Sequence, residues 1–170
     1  SRKDREHYRD HLKSHVSEPF RIPEHWNVWR AMDWGYTRPF SVGWYAVDQD
    51  RRLYRIRELN GCTGTPNEGV KWTPDHVADE ILRIEREDPN LQGRTVRGVA
   101  DPAIFGNSGT ESVAAVMERK GVFWEPGQHD RLNGKMQIHN RLAFDGQGIP
   151  MLYVFDTCRH FIRTVPNLVY

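Results

Sequence analysis

Three short runs rich in aromatic and β-branched residues follow one another between residues 28 and 60, joined by links too short for anything but hairpins. The first covers about 28–34, the second about 40–48, and the third, RLYRIRELN, about 52–60. Runs of this length and spacing specify an antiparallel meander. Alternation along the third puts Tyr54, Ile56 and Glu58 on one face and Leu53, Arg55, Arg57 and Leu59 on the other. A loop rich in Gly, Thr, Asn and Pro follows over 61–72, and Thr73-Pro74 then has the form of a helix start, with Thr as N-cap, Pro at the first helical position and Asp75 in the first turn. Val77, Ala78, Ile81, Leu82 and Ile84 give that helix an apolar stripe, and Pro89 ends it.

The remaining elements continue the alternation of strand and helix. A fourth strand, TVRGVAD, is predicted over 95–101, a helix from near Thr110 to Gly121, a short strand over 122–125, a third helix over 130–143, a sixth strand MLYVF, and a last helix near 157–165. The order is βββαβαβαβα. A right-handed helical crossover docks the fourth strand parallel to the first and beside it. The expected fold class is α/β: a mixed sheet of five or more strands flanked by helices.

Two aspartates stand where this topology makes them conspicuous. Asp33 lies near the end of the first strand and Asp101 at the end of the fourth, each closing an apolar run. Parallel neighbours lie about 4.8 Å apart. Two ionised carboxylates that close repel unless a cation lies between them or one is protonated. Hard divalent ions take oxygen ligands, and Mg²⁺ is commonly held by one or two carboxylates plus substrate phosphates. The pattern therefore points to a divalent-metal site at the carboxyl edge of the sheet, where open α/β sheets bind ligands. The plainer alternative is that both are turn formers, since Asp-Pro and Asp-Trp-Gly start turns. Glu58 is a candidate third, outer carboxylate, or the partner of an arginine.

The segments IPEHWNVWRAMDWGYTRPFSVGWYAVDQDRRLYRIRELN, GVADPAIF and MLYVFDTCRHFIRTVPNLVY together resemble the C-terminal nuclease domain of the large terminase subunit of tailed bacteriophages and prophages, over about residues 22–170. The resemblance rests on an ordered set: Ile-Pro-x-x-Trp, Asp-Trp-Gly, Arg-Glu near the end of the third strand, Asp-Pro-Ala, and a Cys at the start of the last helix. It implies a ribonuclease H-like fold and metal-dependent endonucleolytic cutting of concatemeric double-stranded DNA. The implied mechanism uses two Mg²⁺ or Mn²⁺ ions about 3.5–4 Å apart, with Asp33 bridging them and Asp101 holding one. It also implies a small terminase subunit and a portal protein as partners, and the host cytoplasm as the location. The family's third acid lies in a later helix with an Asp-His-x-x-Asp-Ala-like pattern, which this sequence does not reach before Tyr170. Asp130, Asp145 and Asp156 are available substitutes, though none matches the family position. The domain, 26–170, is accordingly expected to be incomplete at its C-terminal end.

Residues 1–25 are strongly charged and nearly free of aliphatic residues, and are expected to form a polar helix and a linker punctuated by Pro19 and Pro23 that leads in from an upstream segment. Within them His7, His11 and His15 recur at helical spacing, a pattern that can share a metal, but no acidic cluster at matching spacing accompanies them. Arg131, Lys135 and His139, at i, i+4 and i+8, with Arg141, would line one face of a helix able to track phosphates, or simply form a solvated face. Trp34, Tyr36 and Phe40 are expected to pack rather than to stack on nucleotides. The GNSGT loop at 106–110 leads into a helix N-terminus and is a weak phosphate-binding signal.

The bulk properties add bounds. The 170 residues carry 24 basic and 23 acidic side chains, so any nucleic-acid surface must be local. Cys62 and Cys158 show no metal-ligand spacing and are expected to be two reduced thiols. No signal peptide and no 18-residue apolar run is present, so a soluble intracellular protein is expected. A G-x-x-x-x-G-K-[ST] motif is absent, so no ATP site is expected in this chain. A resolvase- or transposase-like nuclease would place acids on the same two strands, and a non-catalytic DNA-binding or docking module would keep the fold without the chemistry.

Overall fold

The computed structural model describes residues 15–106, 109–127 and 152–164. The strands are β1 (Val16–Ser17), β2 (Asn27–Asp33), β3 (Ser41–Val47), β4 (Leu53–Asn60), β5 (Val96–Ala100), β6 (Glu125–Pro126) and β7 (Leu152–Phe155). The helices are α1 (Pro74–Glu87), α2 (Val113–Lys120) and α3 (Arg159–Thr164), with a 3₁₀ turn at Pro102–Phe105. They form one sheet in the order β1-β7-β4-β3-β2-β5-β6. β2, β3 and β4 are the expected antiparallel meander, and β5 pairs parallel to β2 in the register Met32↔Ala100. β7 adds parallel to β4, and β1 parallel to β7. Every strand but β3 therefore runs in the same direction, and their C-terminal ends are gathered at one edge.

Two departures from the predicted pattern have clear causes. The ladder between β3 and β4 slips between Trp44 and Tyr45, so that Trp44 pairs with Arg57 and Tyr45 with Arg55. Ile56 is the extra residue of a β-bulge. Period-two alternation fails across it, and Glu58 shares a face with Arg55 instead of opposing it. The second departure is in the charged lead-in. Its described part is built into the domain: Val16–Ser17 pair with Val154–Phe155, and Ile22 is buried in the core.

Residues 20–26 cross from β1 to β2 under tight polar control. Arg94 donates to the carbonyls of Ile22 (2.6 Å), Pro23 (3.0 Å), Trp26 (3.0 Å) and Glu24 (3.4 Å). Asn90 accepts from Ile22 N at 2.9 Å and donates to Phe20 O at 3.0 Å. A non-periodic segment satisfies its backbone this way, without a ladder.

α1 starts where expected. Pro74 stands in its first turn and Thr73 has the extended N-cap backbone, but the Thr73 hydroxyl caps no backbone N–H; it bonds Asp75, whose carboxyl it holds below the usual range. Val77, Ala78, Ile81 and Ile84 face the core. Glu85 on the same helix accepts from Trp44 Nε1 at 3.0 Å and pairs with Arg30, whose second nitrogen donates to Phe123 O at 2.9 Å. This places α1 over the Arg30–Trp44 face of the sheet. α2 begins at Val113 rather than near Thr110, because Ser112 is the cap: its Oγ accepts from Ala115 N at 3.1 Å. Gly121, at φ 99°, ends it. The predicted strand at 122–125 is laddered only at Glu125–Pro126, with Val122 and Trp124 turned into the core. The third predicted helix, 130–143, lies outside the described residues.

Candidate active site

Asp33 is the last residue of β2 and Asp101 follows β5 directly, one step beyond the register pair Met32↔Ala100. The topology thus sets the two carboxylates side by side on adjacent parallel strands, and both residues are exposed at the carboxyl edge. Asp101 is oriented by its own turn. Its Oδ1 accepts from Ala103 N at 2.7 Å as the cap of the 3₁₀ turn, with Pro102 in the first position. Asp101 therefore is a turn former, as the plainer alternative had it, and is also held beside Asp33.

Asp156 follows β7 directly on the same edge and is exposed. It stands three strands from β2 in the order β7-β4-β3-β2. That is about 14 Å at the usual strand spacing, too far to share an ion with Asp33. Asp130 and Asp145 lie outside the described residues, as do Arg131, Lys135, His139 and Arg141. Among the described residues no group of three or more His, Cys, Asp or Glu side chains is arranged to hold a metal ion.

Glu58 is engaged elsewhere. Its Oε1 accepts from His160 N at 2.9 Å and its Oε2 from Phe161 N at 3.2 Å, so it caps α3 from another strand. The same Oε2 meets Arg55 Nη2 at 3.2 Å, and both side chains are over 90% buried. Arg55 also donates to the Tyr45 hydroxyl at 2.5 Å and lies over the Phe161 ring at 4.7 Å. Burial opposes the charge on Arg55. Tyr45 and Glu58 outweigh it and hold the pKa above the ordinary arginine value. Gly43 makes room, since a Cβ there would meet Arg55 Nη1 at 2.1 Å. α3 is thus fastened to the sheet face that carries Asp33.

The two cysteines differ. Cys158 is buried, its thiol lies 3.6 Å from Arg55 O, and burial pushes its pKa up to about 12. Cys62 is half-buried, with Sγ 3.5 Å from His160 Nδ1, and burial holds the His160 imidazole below the ordinary histidine range. Both thiols are free, as expected. Of the histidine series, His15 is interior with Nδ1 2.5 Å from Leu152 O; His7 and His11 lie outside the described residues. Phe40 packs in the core as expected and Trp34 packs against it, but Tyr36 is 47% exposed. Residues 107–108 of the GNSGT loop also lie outside the described residues.

An antiparallel meander extended by parallel strands, with helices on its faces, is a ribonuclease H-like arrangement, and two aspartates end adjacent parallel strands of it. The large terminase of the thermophilic bacteriophage D6E, solved with ADP, superposes at a TM-score of 0.66 with 17% identity, over 92% of this chain and 35% of that one. The P22 large terminase nuclease domain superposes at 0.64 with 15% identity, over 91% of this chain and 74% of that one. A second D6E crystal form reaches 0.68 with 17% identity over 94% of this chain. At such identities the likeness establishes the fold, and the chain spans about a third of the D6E protein. No protein-family model matches the sequence. No curated protein matches it either.

Proposed function

We propose that this chain is the nuclease domain of a phage-type large terminase and hydrolyses phosphodiester bonds of double-stranded DNA with Mg²⁺ or Mn²⁺. The observation that carries the proposal is the pair of exposed carboxylates on neighbouring parallel strand ends in a fold shared with terminase nuclease domains. The donor set fits a hard divalent ion: both ligands are carboxylate oxygens. Asp33 and Asp101 would hold the metal. A bound divalent ion lowers the pKa of a coordinated water and stabilises charge on the phosphoryl oxygens. Within the chain itself, the Ala103 N–H fixes the rotation of the Asp101 carboxylate and the β2–β5 ladder fixes its distance from Asp33. No side-chain nucleophile is required. Duplex DNA is the substrate, a small terminase subunit and a portal are the partners of the whole protein, and the host cytoplasm is its place of action.

The second reading is a docking module that keeps the fold without cutting. It is favoured by the absence of a three-acid cluster among the described residues. Plasmid nicking in Mn²⁺ separates the two. Nicking that disappears in Asp33→Asn, in Asp101→Asn and in EDTA is the expected result. DNA binding that survives both substitutions, with no cleavage and no carboxylate-dependent Mn²⁺ affinity, would favour the docking module.

A further inference from the structure

Two loops cross beside Asp33. The first, residues 34–40, leaves Asp33 and returns to β3; the second, 61–72, joins β4 to α1. Gly69 N donates to Thr37 O at 2.7 Å, Gly61 N to Phe40 O at 2.9 Å and Val70 N to Gly61 O at 2.9 Å. The crossing is close: a Cβ on Gly69 would lie 2.5 Å from the carbonyl oxygens of both Tyr36 and Arg38. Trp72 anchors the far end against Phe40, with ring centroids 5.7 Å apart.

Exposed cations outside any ion pair among the described residues include Arg21, Arg86 and Arg159 as well as Arg38 and Lys71; the last two are the ones carried on the loops beside Asp33. Arg30, Arg55, Arg57, Arg97 and Arg119 each pair with a carboxylate. Arg38 and Lys71 are exposed and make no ion pair or hydrogen bond among the described residues. Tyr36 is exposed on the first loop, and its carbonyl oxygen lies at the crossing. Lys71 also has φ 57°, in the left-handed region that disfavours any residue with a Cβ. Glycine is the default there. Arg51 and Asn67 share this backbone; Lys71 is the one of the three that follows directly on the crossing at Gly69 and Val70. The bordering acids are Glu68 and Asp75, and Asp75 is occupied by Thr73.

We propose that these crossed loops grip the phosphate backbone of duplex DNA flanking the scissile position, with Arg38 and Lys71 as phosphate contacts and Tyr36 against the sugar edge. The proposal rests on the nuclease reading and names how that site positions its substrate. Sequence-independent affinity comes from such contacts and carries a salt dependence proportional to their number.

The test is fluorescence anisotropy of a labelled blunt duplex with the full chain, in EDTA, across a salt series. The variants are Arg38→Gln, Lys71→Gly and the double; Arg86→Gln, an exposed cation near the far end of α1, is the control. Each loop variant is expected to weaken binding several-fold and to reduce the slope of log K against log salt by about 1, while Arg86→Gln changes little. Lys71→Gly is expected to bind more weakly with a melting temperature equal to or above the parent's, which separates lost contact from lost fold. Unchanged affinity and slope in the double variant, or an equal loss in Arg86→Gln, would overturn the grip while leaving the nuclease reading intact. A parent chain that binds no duplex at all would overturn both.

Discussion

Glu58 is the residue on which the sequence pattern and the structure make different demands, and replacing it decides between them. As an outer metal ligand it would matter to cleavage and little to stability. As the cap of α3 and the counter-charge of Arg55 it matters chiefly to stability. Glu58→Ala removes one partner of a pair in which both side chains are at least 91% buried. Breaking such a pair by deleting one member typically costs about 3–5 kcal/mol, because the remaining charge is left uncompensated. The N–H groups of His160 and Phe161 lose their acceptor as well, although α3 lies near solvent and water replaces part of that loss. A destabilisation of about 4 kcal/mol corresponds to a fall of roughly 10 °C for a chain of this size. Glu58→Gln keeps an acceptor oxygen but not the charge, and should cost about half as much. Urea unfolding followed by tryptophan fluorescence measures both, and calorimetric titration with Mn²⁺ measures the other role. An Ala variant that unfolds at the parent's urea midpoint and has lost its Mn²⁺ affinity would refute the capping account.

Further consequences follow from the surrounding contacts. Arg94→Met removes four hydrogen bonds to carbonyls over residues 22–26; a loss of about 2–4 kcal/mol is expected at about 1 kcal/mol per bond, less what water recovers, with proteolysis mapping new cleavage to that segment. Gly43→Ala would drive a Cβ into the Arg55 guanidinium and should destabilise by about 1–3 kcal/mol, read by thermal melting. The Cys158 thiol is raised by burial from 9.0 to about 12, so the folded state keeps a proton that the unfolded chain releases. Its contribution is present below pH 9 and is lost as pH rises towards 12; Cys158→Ala should flatten the alkaline fall in the unfolding midpoint. The His160 imidazole is shifted the other way by burial, so its contribution falls away as pH drops below the ordinary histidine value, and His160→Gln should be less sensitive to acid.

Much of the architecture is encoded in local signals. β2, β3, β4 and α1 carry clear periodicity, and Thr73-Pro74 and Gly121 mark helix ends through backbone preferences that act locally. Asp33 and Asp101 were legible because a charge closing an apolar run contradicts its surroundings, and a right-handed crossover brings the two strands together. β1 was not, since a two-residue strand has no period and exists only because β7 offers an edge. The faces of β4 were misassigned by a single inserted residue, Ile56, whose effect depends on the pairing partner. Arg38 and Lys71 sit in loops whose crossing is set by Gly69 and Thr37, contacts that no spacing rule anticipates. Arg94 gives no hint in the sequence that it collects four carbonyls.

That Arg94 clasp has a mechanical meaning. A pull on the chain ahead of residue 15 first loads the buried His15, held at Leu152 O, and the two-residue ladder of Val16–Ser17 against β7. Beyond it the load reaches residues 20–26, where one guanidinium and one carboxamide tie the strap to the start of β5 and the end of α1. The weak link thus precedes the strong one. Tension would peel β1 away as a fuse and stop at the clasp, before it reached β2 and the spacing of Asp33 from Asp101. Force applied ahead of residue 15 would be absorbed in the strap, and the carboxylates would keep their alignment under load.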